Sequence, residues 1–185
     1  MQPNTTQEVP LLHVTKAVTI NRSRDAIYQF WRDFANLSQF MIHVQSVESP
    51  GDRRSHWVVS APAGQTVEWD AEIVEDRPGE LISWRSIEGS DIRHEGSVRF
   101  EDAPADRGTE VHVDLHYDAP AGQVGATIAK LFGEEPTQQV RDDLRRLKQV
   151  METGEVVLSD GSLEGAGQGL FKQRAAQAPA TEVRR

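Results

Sequence analysis

Residues 64–86, GQTVEWDAEIVEDRPGELISWRS, decide the fold. Val67, Trp69, Ala71 and Ile73 alternate with Glu68, Asp70 and Glu72 until Asp76-Arg77-Pro78-Gly79 interrupts the run, and a second apolar stretch follows around Trp84. A period of two marks a strand with one buried and one wetted face. A Pro-Gly pair sets up a tight reversal. The segment therefore reads as two antiparallel strands joined by a turn.

The same grammar extends in both directions, from Met41 to about Tyr117. Turn chemistry recurs at Ser49-Pro50-Gly51-Asp52, Pro62-Ala63-Gly64, Glu88-Gly89-Ser90-Asp91 and Ala105-Asp106-Arg107-Gly108. Short alternating runs between regular turns predict an antiparallel meander. Its last strand sets Val111, Val113, Leu115 and Tyr117 against Glu110, His112, Asp114 and His116. A sheet with one apolar face needs a cover, and the sequence supplies one. Gly122 to about Glu152 has helical periodicity, with Val140, Leu144, Leu147 and Met151 on one stripe and Val124, Ile128, Leu131 and Phe132 upstream. Gly133-Glu134-Glu135-Pro136 predicts a kink or break, because proline cannot donate to the helical ladder. Thr153-Gly154 ends the helix. Upstream of the meander, His13–Ile20 reads as a strand, and Ser23 as the N-cap of a helix carrying Ile27, Phe30, Trp31 and Phe34.

The expected architecture is α+β, with a domain over 12–154, a loose lead-in over 1–11 and a Gly-rich, mobile tail over 155–185. Of 185 residues, 29 are Asp or Glu and 20 are Lys or Arg, a net charge of −9. Nucleic-acid binding draws on Lys and Arg facing phosphates, so no nucleic-acid partner is expected. The absence of cysteine excludes disulfides, thiolate metal sites and thiol nucleophiles. No stretch approaches the ~20 apolar residues of a membrane span, and the first ten residues lack the pattern of a secretory signal. The expectation is a cytoplasmic protein without a transmembrane segment. Transient membrane contact through a local patch stays open, and the sequence does not indicate an oligomeric state.

The order strand, helix, antiparallel meander, long helix resembles the START-like helix-grip superfamily (SRPBCC), in its polyketide cyclase/dehydrase branch. The resemblance rests on VTKAVTINRSRDAIYQFWRDFANLSQFMIHVQSVE at 14–48, GQTVEWDAEIVEDRPGELISWRS at 64–86, GSVRF at 96–100 and GEEPTQQVRDDLRRLKQVMETGE at 133–155. It covers about residues 12 to 155. It implies a curved antiparallel sheet wrapped around the C-terminal helix, with an apolar ligand cavity between them. The superfamily includes lipid carriers, hormone and quinone binders, and cyclases, so the resemblance speaks for fold more narrowly than for activity.

On the inward strand phases, Trp57, Val59, Trp69, Ala71, Trp84, His94, Val98, Phe100, Val113 and Tyr117 are the expected lining of such a cavity. Ile128, Phe132 and Leu144 face them from the helix. His94 and Tyr117 are the candidate acid–base groups. No Ser-His-Asp set and no phosphate-binding glycine loop accompany them, and no cofactor is expected. No metal is expected from His112, Asp114 and His116, because four residues of strand separate the two imidazoles by about 13 Å. The mixed run Arg141, Asp142, Asp143, Arg145, Arg146, Lys148 reads as a solvated helix face. The leading functional expectation is binding or transport of a small hydrophobic molecule: a lipid, an isoprenoid quinone or a polyketide-like aromatic. The alternatives are a polyketide aromatase/cyclase or dehydrase, and a non-catalytic regulatory or scaffolding module.

Overall fold

Seven antiparallel strands form one sheet in the order β1-β7-β6-β5-β4-β3-β2. They are β1 Leu11–Ile20, β2 Val44–Gly51, β3 Arg54–Ser60, β4 Thr66–Arg77, β5 Leu81–Ser86, β6 Arg93–Asp102 and β7 Thr109–Asp118. Helix α1 spans Arg24–Arg32, a 3-10 turn follows at Phe34–Gln39, and helix α2 spans Pro136–Thr153. The computed structural model describes residues 11–60, 64, 66–88, 90, 92–118 and 136–156. This is the helix-grip architecture that the alternation and element order predict.

Alternation becomes burial as expected. Trp69, Ala71 and Ile73 of β4 are buried, as are Val111, Val113, Leu115 and Tyr117 of β7, while Glu68 and Asp70 are exposed. The period breaks once in β4: between Ile73 and Glu75 the register with β5 slips, leaving Val74 half exposed. A bulge of this kind re-aims the side chains beyond it. Asp76 thereby meets α1, where its carboxylate accepts from Tyr28 Oη at 2.6 Å and Arg32 Nε at 2.7 Å. Burial and the Asp76 carboxylate together push the Tyr28 hydroxyl up to about 12.

Helix α1 starts at the expected cap, since Ser23 Oγ accepts from the Ala26 amide. It ends at Arg32, earlier than the spacing of Phe34 suggests. The Asp33 side chain accepts from the Ala35 amide and opens the 3-10 turn, whose Phe34 and Leu37 are buried.

Helix α2 begins at Pro136, where the fixed φ of proline suits the first helical position. Residues 122–135 of the expected helix, with Val124, Ile128, Leu131 and Phe132, lie outside the described residues. Val140, Leu144 and Leu147 are buried and Met151 packs partly against the core. Each full burial of a leucine contributes ~1.5–3 kcal/mol. Arg141 and Arg145 are exposed, but the charged run is not uniformly solvated. Arg146 is buried, donating from Nε to the Phe40 carbonyl at 2.9 Å and from Nη2 to Asp143 Oδ1 at 2.6 Å. The reason is geometric: positions 143 and 146 flank the 140–144–147 stripe on a helix, and the 3-10 turn packs close enough to reach them. Lys148 is also drawn in, donating to the Thr19 carbonyl and to Glu152.

Candidate functional site

The sheet, α1, the chain entering β2 and α2 line a cavity of about 80 Å³. Of the residues expected there, Trp57, Val59, Trp69, Trp84, His94, Val113, Tyr117 and Leu144 line it. Ala71, Val98 and Phe100 are buried but form no part of the lining. They share the inward phase, yet Phe100 lies farther along β6, packed edge-on against Tyr28 and Trp31 beneath α1. Phase fixes the face of a sheet, not the position along it. Ile128 and Phe132 lie outside the described residues.

The structure also adds lining residues that periodicity missed. Trp31 comes from α1 and Phe40 caps the 3-10 turn; Met41, His43 and Val44 come from the entry to β2. Gln139 and Asp143 contribute polar groups from α2 beside Val140 and Leu144. Their spacing of four puts them one turn apart on the edge of the apolar stripe. That was the available signal.

The wall is aromatic. Trp57 and Trp69, cross-strand partners on β3 and β4, stack with centroids 5.8 Å apart and planes 8° from parallel. Trp84 lies opposite Gly96, where a Cβ would come within 2.7 Å of the indole ring and of Leu115. Only glycine admits the indole at that distance. His94 contacts Trp69, Trp84 and Tyr117, and its backbone amide donates to Ser86 Oγ.

Polar atoms are sparse in this wall but not absent. Trp57 Nε1 donates to Ser55 Oγ at 2.9 Å. Among the described residues, Trp31 Nε1, Trp69 Nε1, Trp84 Nε1 and both ring nitrogens of His94 are buried without a hydrogen-bond partner. Burial depresses the His94 imidazole to about 4, so it is neutral at pH 7 and offers one N–H and one lone pair. Burial and the Asp143 carboxylate both push the Tyr117 hydroxyl above its ordinary value.

This chain belongs to the polyketide cyclase/dehydrase and lipid transport family, whose sequence profile matches residues 20–145. It is 30% identical over 141 residues to an uncharacterized 17.2 kDa protein of Streptomyces lincolnensis, which spans 75% of this chain and 89% of that protein. The crystal structure of a Deinococcus radiodurans protein shares 43% identity and superposes with a TM-score of 0.63, covering 77% of this chain and 99% of that one. The Zhui aromatase/cyclase from a Streptomyces strain shares the fold at 14% identity and a TM-score of 0.58, with 80% and 100% covered. Among the described residues, no helix is long and apolar enough to cross a membrane.

Proposed function

We propose that the protein binds a small, ring-containing hydrophobic molecule that carries both hydroxyl and carbonyl oxygens. The observation that carries this reading is the set of indole N–H groups and His94 nitrogens that have no hydrogen-bond partner among the described residues, in a mostly apolar wall. Each buried donor or acceptor left unpaired costs ~1–3 kcal/mol. A ligand with acceptors for the indoles, and a hydroxyl for the imidazole, removes part of that cost on entering. Apolar burial, at ~25 cal/mol per Å², supplies the remainder of the affinity.

Among the ligands considered, these groups favour a polyketide-like aromatic over an alkyl-chain lipid. The cavity of about 80 Å³ is well below the ~300–1,000 Å³ of pockets that enclose drug-sized ligands. A cavity that takes up benzene measures ~150 Å³, so a substituted ring, like a longer chain, requires the wall to open.

Acid–base catalysis by His94 and Tyr117 is the weaker reading. A general base works best with a pKa near the operating pH, and burial moves both groups away from neutrality. The deciding experiment is native mass spectrometry of protein purified from its own host, with extraction of what co-purifies. Turnover of enolisable polyketide-like ketones is assayed beside it. An oxygenated aromatic at one per chain, with no turnover, supports the binder. Turnover that falls ~10²–10⁴-fold in His94→Ala would replace it with a cyclase or dehydrase.

A further inference from the structure

The outer face of the sheet, away from the cavity, gathers a second cluster of groups. Because Val14 of β1 and Val113, Leu115 and Tyr117 of β7 point inward, alternation sends His13, Thr15, Asp114 and His116 outward. The antiparallel register then sets His13 opposite His116 and Thr15 opposite Asp114. Residues 101 positions apart in the chain become neighbours.

The geometry is close. His13 Nε2 lies 3.2 and 3.1 Å from the two Asp114 oxygens, and His116 Nε2 lies 2.6 Å from Asp114 Oδ1. The two imidazoles stack at 4.2 Å, 9° from parallel. Thr15 Oγ1 donates to Asp114 Oδ2 at 3.0 Å and lies 3.1 Å from His13 Nε2. One ligand atom from each of His13, Asp114 and His116 lies within 4.8 Å of the others.

We propose that His13, Asp114 and His116 form a binding site for a divalent transition-metal ion of the zinc, nickel or copper type. Two imidazole nitrogens and one carboxylate are a ligand set suited to these ions. The side chains are 51%, 36% and 32% exposed for His13, Asp114 and His116, which leaves a coordination position for water. In a tetrahedral site with bonds near 2.1 Å, ligand atoms sit about 3.4 Å apart. The two rings are stacked near-parallel, so binding an ion requires them to tilt until their lone pairs converge. Thr15 donates to the carboxylate at Oδ2, the kind of contact that orients a metal ligand.

Two other groups on the same face lack this combination. His56 sits between Glu68 and Asp70, and His112 between Glu101 and Glu110, each with a single imidazole. His112 and His116 share one strand, four residues apart, too far for one ion. His13 reaches the cluster only through the pairing of β1 with β7. A metal bound here clamps the first strand to the last.

The test uses tag-free, full-length protein stripped with chelator and titrated with Zn²⁺ by calorimetry, and with Co²⁺ by visible absorption. The expected result is one ion per chain, a Co²⁺ spectrum of low-coordinate nitrogen–oxygen type, and a thermal midpoint that rises with zinc concentration. His13→Gln and His116→Gln keep size and polarity at exposed positions, and circular dichroism confirms their fold. Each should weaken zinc affinity by on the order of 10–100-fold or more, while His56→Gln leaves it unchanged. The proposal is overturned if the wild type binds no zinc at millimolar concentration. It is equally overturned if His13→Gln/His116→Gln retains wild-type stoichiometry and affinity.

Discussion

The imidazole of His94 lies stacked on the phenol of Tyr117, with centroids 4.6 Å apart and planes 25° from parallel. The two residues are cross-strand partners on β6 and β7, so the sheet register holds the stack. With both imidazole nitrogens buried and unpartnered among the described residues, the ring is stable there only while neutral.

This has a consequence for acid stability. The folded-state value near 4 lies below the ordinary value of 6.5, so between those limits the unfolded chain binds the extra proton. The stabilising contribution is complete above pH 6.5 and is lost as pH falls toward 4. Over that window it amounts to ~3 kcal/mol. Denaturant melts at pH 4, 5, 6 and 7 should show His94→Leu with a flatter profile than wild type. Parallel profiles would mean that the imidazole is solvated.

Replacing an indole by phenyl isolates the role of the N–H groups. Trp69→Phe and Trp84→Phe should each weaken binding of an oxygen-bearing aromatic by ~0.5–1.5 kcal/mol, roughly two- to tenfold. Binding of an unsubstituted aromatic hydrocarbon of the same size should change much less. All four tryptophans of the chain line the cavity, so quenching of intrinsic fluorescence reads both titrations. Equal losses for the two probes would show that the indoles act only as apolar wall.

Gly96→Ala places a methyl group against the Trp84 ring, a rigid neighbour at 2.7 Å. The ring must move into the cavity or the strands must part. Overpacking of this kind costs ~1–3 kcal/mol. The expected result is a lower thermal midpoint together with reduced ligand affinity. An unchanged midpoint would show that the β5–β6 pair yields readily at this position.

Arg146 ties α2 to the Phe40 carbonyl, and truncating it removes that bond together with the buried ion pair to Asp143. Arg146→Ala should destabilise the fold by ~3–5 kcal/mol, toward the lower figure because Asp143 keeps some solvent contact. Adding Asp143→Ala should recover part of that loss, which a double-mutant cycle in urea measures. Strict additivity would mean that the pair is not coupled.

The sequence made the sheet legible because each strand buries one face, so Val67, Trp69, Ala71 and Ile73 announce both the element and its orientation. The same logic found Trp69, Trp84, His94 and Tyr117 on the cavity wall. It overreached at Val98 and Phe100, whose place along β6 depends on where α1 docks. It fell short at Asp143 and Arg146, because a charged residue beside an apolar stripe looks solvated until a neighbouring element covers it. The bulge after Ile73, which turns Asp76 toward Tyr28 and Arg32, leaves no periodic trace at all.

The pairing of β1 with β7 also bears on how the chain reaches its native state. Among the described residues, residues 11–20 pair only with residues 109–118, so this ladder cannot form until nearly the whole domain has emerged. Hairpins among β2 to β7 close over short loops, whereas the final junction closes over about a hundred residues, the kind of non-local contact that slows folding. Until that junction closes the β7 edge is unpaired, and an exposed edge is a template for pairing with another chain. Crowded expression should therefore favour strand exchange at β1, producing domain-swapped dimers.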